Sequence, residues 1–310
     1  MKVKKTILFM AAVYVLFILI TIFSFSSDIK HNAGNISFAM GQSNMQAFVI
    51  DQNSSVALDS ENDILIKSVI AEVNVKFEKR TDIKVHAYGE IKINSEIEPE
   101  LITEKSGNTI NIYLKTDKIN NNMRGKLTYD ILVPFTFKNN LQISNISGNT
   151  FLDGNNMKLT GISSENVSGD TNLKNLECGN FSVESVSGSI YLAAVIADKA
   201  KFKNVSGDIK AEEFRADTNG SSVSGDIRFQ ISSLEHNYYI ETVSGSITAV
   251  IPGNSQFILK GDSVSGDINC REFAIMVTKK SHTALYGHTE SGKYTLELET
   301  VSGDIDISRK

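Results

Sequence analysis

The chain has 310 residues, 41% of them hydrophobic, with 31 basic against 36 acidic residues and a formal net charge of −5. The acidic balance argues against nucleic acid as a partner, because phosphate binding needs a basic face. It disfavours docking on anionic lipid or wall polymer unless cations bridge, and the absence of tryptophan removes one platform for sugar stacking.

Lys2, Lys4 and Lys5 lie in a short leader, residues 1–5, and Thr6 to Phe25 then runs 20 residues without a charge. At ~1.5 Å per helical residue that run spans ~30 Å, one hydrocarbon core. A cleavable signal peptide has a shorter apolar region and a small-x-small site, which Ser24-Phe25-Ser26 matches poorly. The pattern predicts an uncleaved transmembrane helix over residues 6–26, with the basic leader in the cytoplasm and the body extracytoplasmic. Outside the leader stand 28 basic and 36 acidic residues, a net of −8.

Residues 27–60 are rich in Asn, Ser, Gln and Gly and read as an extracytoplasmic linker. Residues 61–140 carry alternating or β-branched runs such as Ala71-Glu72-Val73-Asn74-Val75 and Thr109-Ile110-Asn111-Ile112, which predict strands throughout. This section is read as a β-rich cap on the repeats that follow.

From residue 141 to 310 one phrase, Val-Ser-Gly-Asp-Ile, returns with its glycine at Gly148, Gly169, Gly188, Gly207, Gly225, Gly245, Gly266 and Gly303. The steps are 21, 19, 19, 18, 20, 21 and 37 residues, and a period near 20 marks a stacked-repeat architecture. Strand alternation assigns Val223, Gly225 and Ile227 to one face and Ser224 and Asp226 to the other. Apolar residues also stand three before the valine, as Phe202 does to Val205 and Ile240 to Val243. That spacing predicts a bend at the intervening pair and a corner between two strands of one coil. The glycine then permits close approach at the corner, and inward Val and Ile line up in columns. The fold class is all-β, a β-solenoid.

Turn and packing geometry accounts for Ser, Gly and Asp in the phrase. The sharper reading is a calcium column, with Asp208 and Asp226 on adjacent coils ~4.8 Å apart. Asn149, Ser189 and Ser246 interrupt that column, so no metal or other cofactor is assigned. The stretch 271–293 departs from the period and reads as a decorated coil or inserted loop. Its His282 and His288 lack ligand spacing. Cys178 and Cys270 are several coils apart, beyond disulfide reach, and neither has a catalytic surrounding. Tyr191, Tyr238 and Tyr239 are read as packing residues.

The anchor, the strand Asp130-Ile131-Leu132-Val133-Pro134, the serial phrases and the closing Thr300-Val301-Ser302-Gly303-Asp304-Ile305 resemble the bacterial "putative adhesin" β-strand-repeat family, to which LiaG-like proteins of Gram-positive envelope-stress operons belong. The resemblance covers roughly residues 60–310. It implies a membrane-anchored, extracytoplasmic, right-handed β-helix-like body and transfers no catalytic residue. The expected function is a non-enzymatic adhesin, envelope scaffold or stress-associated accessory, with an envelope polymer or surface protein as partner. The alternatives are a polysaccharide-active β-helix enzyme, or an accessory that modulates a membrane stress sensor.

Overall fold

The computed structural model describes residues 45–59, 62–117 and 123–310. The leader at 1–5 and the expected transmembrane helix at 6–26 lie outside the described residues. Within them the chain is all-β, without a helix, and its strands join one long sheet.

The first strand, β1 (Gln46–Ala57), falls inside the stretch read as a linker. It buries only Ile50 and is held through the backbone, so side-chain alternation gave little sign of it. Next come β2 (Asp63–Ser68), β3 (Ala71–Glu78), β4 (Asp82–Ile93), β5 (Glu100–Ser106), β6 (Thr109–Lys115) and β7 (Arg124–Pro134). Strand β4 pairs antiparallel with both β1 and β7, and β5 pairs antiparallel with β6. The other pairings are parallel. Strand β2 lies beside β6, and β3 lies beside β7.

The repeats follow as β8 (Asn140–Ser147), β9 (Thr150–Ser168), β10 (Thr171–Ser187), β11 (Ile190–Ser206) and β12 (Ile209–Ser224). Each coil lies parallel to the next, with Ser168, Ser187, Ser206 and Ser224 in register. This is a solenoid-like stack, and the repeated glycines sit at its corners, not at hairpin tips. A coil turns at three places. One is the positive-φ glycine. The second is a left-handed residue further on, Asn175, Ala194 or Glu213 in successive coils. At the third, burial changes phase between Cys178 and Phe181, and between Ala197 and Ala200. Isoleucines 190, 209, 227, 247 and 305 are all buried, and each such side chain contributes about 1.5–3 kcal/mol relative to exposure. Large and small residues interlock between coils. The Phe202 ring fills the space left by Gly220, where a Cβ would come within 2.0 Å of it.

The valines do not follow the expected parity. Val167, Val186, Val205, Val223, Val243, Val264 and Val301 are all only half-buried. The inward position is the polar residue before each one: Asn166, Ser185, Asn204, Ser222, Thr242, Ser263 and Thr300 are buried. The strand runs straight from Phe202 through Asn204, and the chain turns only at the glycine. The bend inferred from the three-residue spacing is therefore one pair too early, and the valine column faces outward.

The remaining strands are β13 (Ile227–Ile231), β14 (Tyr238–Ser244), β15 (Ile247–Ile251), β16 (Phe257–Ser265), β17 (Ile268–Asn269), β18 (Met276–Ser281), β19 (Ala284–His288), β20 (Tyr294–Ser302) and β21 (Ile305–Arg309). Here chain order and stacking order part. Strand β20 pairs with β14 on one side and β16 on the other, and β21 lies between β15 and β17. The last repeat is thus inserted between the two before it. The 37-residue step is a hairpin, β18 with β19, whose inner strand runs antiparallel to β16 and closes the end of the stack. At the other end β2 and β3 lie between the later β6–β7 pair and the β8–β9 coil.

Candidate functional site

The feature that runs the length of the repeat stack, from Gly148 to Gly303, is the Ser-Gly corner, followed by Asp in five of its eight copies. Each glycine has φ between +115° and +154°, a region that side chains rarely tolerate. A Cβ on Gly207 would lie 2.5 Å from the Gly188 carbonyl oxygen, and one on Gly303 would lie 2.1 Å from that of Gly245. The glycines thus form one close column in the order 148, 169, 188, 207, 225, 245, 303, 266.

Two sets of side chains complete the corner. On the inside, Asn166 Nδ2 donates to the carbonyls of Gly148 and Gly169, at 3.2 and 2.9 Å. Asn204 does the same for Gly188 and Gly207, at 3.1 and 2.7 Å. Thr300 Oγ1 donates to the Gly245 carbonyl. A carbonyl turned into an apolar core needs such a donor. This role was missed in the sequence, although an Asn, Ser or Thr stands three before every repeat glycine from 148 onward; the hydroxyls of Ser185, Ser222 and Thr242 are buried there without making such a bond.

On the outside, Asp208 Oδ1 accepts the Asp226 backbone N–H at 2.9 Å, and Asp226 Oδ1 accepts that of Ser246 at 2.8 Å. Asp170 and Asp304 cap Ser189 and Asp267 in the same way. The two residues of the candidate calcium pair, Asp208 and Asp226, are therefore adjacent, and one oxygen of each is engaged by backbone. Among the described residues no group of three or more His, Cys, Asp and Glu is arranged to hold a metal ion.

The out-of-order coil brings together acids that sequence spacing keeps apart. Glu299 lies in register with Glu241 on one side and Asp262 on the other, and Glu297 with Tyr239 and Lys260. Tyr239 Oη donates to Glu241, Tyr286 Oη donates to Asp262, and Lys260 pairs with Glu297 at 2.9 Å. Partial burial, then the charges of Glu297, Asp262 and Glu241, push the Glu299 carboxyl above its usual range. No sequence signal could have found this group, since it exists only through the coil order.

Both cysteines are buried and free, their thiols pushed up by desolvation to about 12 for Cys178 and about 11 for Cys270. His282 faces Asp267 at 3.3 Å and His288 Nδ1 donates to the Thr289 carbonyl, so the two histidines are not brought together on one ligand. Tyr238 is buried and stacks on Phe229 at 5.9 Å. Tyr191 is half-buried, donates to Glu212 and carries Lys210 over its ring.

A groove of about 410 Å³ crosses four coils where Asn140, Gly161, Asn180 and Lys199 stand in register. Its floor includes Ile162 and Phe181 and its rim includes Lys201. A second hollow of about 270 Å³, over β3, β7 and β4, is lined by Lys76, Lys84, His86 and Asp130.

The Ser-Gly corners recur from Gly148 to Gly303. The Toastrack DUF4097 model matches residues 61–308. The chain belongs to that family. No curated protein matches it. Solved structures similar to this Toastrack chain include a "putative adhesin" from Bacteroides fragilis, at 15% identity and TM-score 0.41, covering 84% of this chain and 97% of that one. A "putative adhesin" from Parabacteroides distasonis follows at 12% and 0.38, covering 86% and 98%. A "putative lipid binding protein" from the same species stands at 13% and 0.38, covering 84% and 97%.

Proposed function

We propose that this Toastrack chain is a non-enzymatic extracytoplasmic repeat protein, an adhesin-type or scaffold module of the cell envelope. Residues 6–26 would anchor it in the membrane with the leader in the cytoplasm, and the coil would wind right-handed. The observation that carries the reading is where the repeat spends its polar groups. Asp170, Asp208, Asp226 and Asp304 cap backbone amides of the next coil, and Asn166, Asn204 and Thr300 hold glycine carbonyls. The recurring residues therefore build the stack, and the surface left for a partner is its outer ladders and the groove over Gly161 and Phe181. An envelope polymer or surface protein lying across the coils fits that surface, with no cofactor required.

Crosslinking in intact cells followed by pull-down of the full chain tests the reading. A recovered envelope polymer or surface protein supports it, and recovery of neither sinks it. Turnover of a wall or capsule polymer by the purified chain would replace it with the enzymatic alternative.

A further inference from the structure

The last repeat reaches its place out of turn. Residues 257–269 precede it in the chain, yet β20 and β21 lie inside them, against β14 and β15. Without residues 294–309, the edges of β14 and β15 on one side and of β16 and β17 on the other would lack these partners. What fills it is one more copy of the common phrase. Gly245 N–H donates to the Ser302 carbonyl and Gly303 N–H to the Ser265 carbonyl, at 2.9 and 3.1 Å. Ser302, Ser265 and Ser244 stand in the same register as the serines of every sequential coil.

These backbone contacts do not set the coil order, because the glycine-to-serine bond recurs at each step; the corner side chains vary, and Ser246 Oγ accepts the Asp304 N–H at 3.3 Å where other coils use an Asp carboxylate. Gly245 to Gly266 is a 21-residue step, equal to the sequential step from Gly148 to Gly169. The Gly266 coil could stack directly on the Gly245 coil by the same rule. Its outermost place is decided by closure of the end. Gly261 lets the Ile268 side chain fold inward, with a Cβ there only 3.1 Å from Ile268 Cγ2. Phe273 packs edge-on against Phe257 at 5.3 Å beneath Arg309. The inserted coil joins the closing hairpin through Thr289–Lys293, a link outside any strand that includes Gly292.

We infer that residues 294–309 are an exchangeable coil, and that the slot between the Gly245 and Gly266 coils accepts the same coil from a second copy of this chain. The coil's departure opens the β14–β20 and β16–β20 ladders and leaves the coils from Gly148 to Gly245 stacked, while Thr289 and Ser291 of the link stay bonded to Phe257 and Gln256. Every contact in the slot is one that an identical coil restores, which is the condition for exchange between copies. The coil buries Leu296, Leu298, Ile305 and Ile307, so the vacated slot is apolar as well as hydrogen-bonding. A short extended peptide of different pattern would match neither the glycine column nor the inward residues.

The test uses the outward pair Thr248 and Asp306, which stand directly opposite one another in β15 and β21. Full chains carrying Thr248→Cys or Asp306→Cys are given different tags, co-expressed and oxidised. Exchange predicts a disulfide-linked dimer bearing both tags, absent when either variant is expressed alone. It also predicts loss of that dimer when Gly303→Val is added to the Asp306→Cys chain, since the new side chain would meet the Gly245 carbonyl. The double variant on one chain is the control for register. If the double variant links within itself and the mixed singles never link at any concentration, the coil is committed to its own chain and the inference is overturned. If the double variant fails to link, the insertion itself is wrong and the inference falls with it.

Discussion

The middle of the stack and its two ends are built from the same corner, and they differ in how the chain visits it. From Gly148 to Gly245 each coil lies on the one before it in sequence. At the C-terminal end the order becomes 245, 303, 266, and at the N-terminal end β2 and β3 are enclosed by strands that come later. The middle solves a local problem repeatedly, with glycine on the corner, Asp, Asn or Ser after it, and Asn, Ser or Thr beneath it. The ends must also stop, because a bare edge of parallel strands would go on recruiting strands. Both ends stop with antiparallel strands, β4 and β5 at one and β19 at the other.

The largest contrast should come from glycines. Gly225→Val places a Cβ 2.2 Å from the Gly207 carbonyl at φ +126°, and should cost more than about 4 kcal/mol in urea denaturation. Gly107→Ala, at the β5–β6 hairpin tip with open space around it, should cost only about 1–2 kcal/mol. Equal effects would show that the column is not close-packed.

Next in size, Phe202→Ala removes a buried ring from the middle and should cost about 3–5 kcal/mol. Pairing it with Gly220→Ala, whose Cβ occupies the vacated space, should recover part of that loss. Strict additivity in the double-mutant cycle would refute the interlock.

A smaller effect tests the corner's parity. Asn204→Ala strands the Gly188 and Gly207 carbonyls and should cost about 1–3 kcal/mol, more than the half-exposed Val205→Ala at under about 1 kcal/mol. The reverse order would restore an inward valine.

The smallest expected effect belongs to the out-of-order end and depends on pH. Burial and its acidic neighbours hold Glu299 above the ordinary carboxylate range, so the folded chain binds that proton more tightly than the unfolded one. Stability should therefore fall as pH rises from the unfolded carboxylate range through the folded pKa. Glu299→Gln should raise the Tm at neutral pH and remove that decline. A Glu299→Gln chain with unchanged Tm across the titration would show that Glu299 does not interact with Glu297, Asp262 and Glu241.

The repeat period and the all-β character were legible because each has a local cause, and so was the need for glycine close to a corner, although the bend itself was placed one pair early. Alternation marks strands, and no other residue can hold φ near +120° against a neighbouring carbonyl. The inward Asn was written in the same periodic register as the glycine, but apolar content was the wrong guide, since the corner turns carbonyls into the core and a donor outcompetes a valine there. Strand β1 and the acidic group around Glu299 had no local sign at all. The first is held by backbone pairing, and the second is assembled across residues 241, 262 and 299.

The sequence by itself determined that coils of about twenty residues would stack with glycine upon glycine, because that rule is enforced within each repeat. Only the tertiary structure decided which coil lies beside which at the ends. The backbone of the phrase pairs alike in every copy and does not rank its neighbours, so the choice fell to Gly261, Ile268, Phe273 and the β18–β19 hairpin, which fit only the place where the stack is sealed from water.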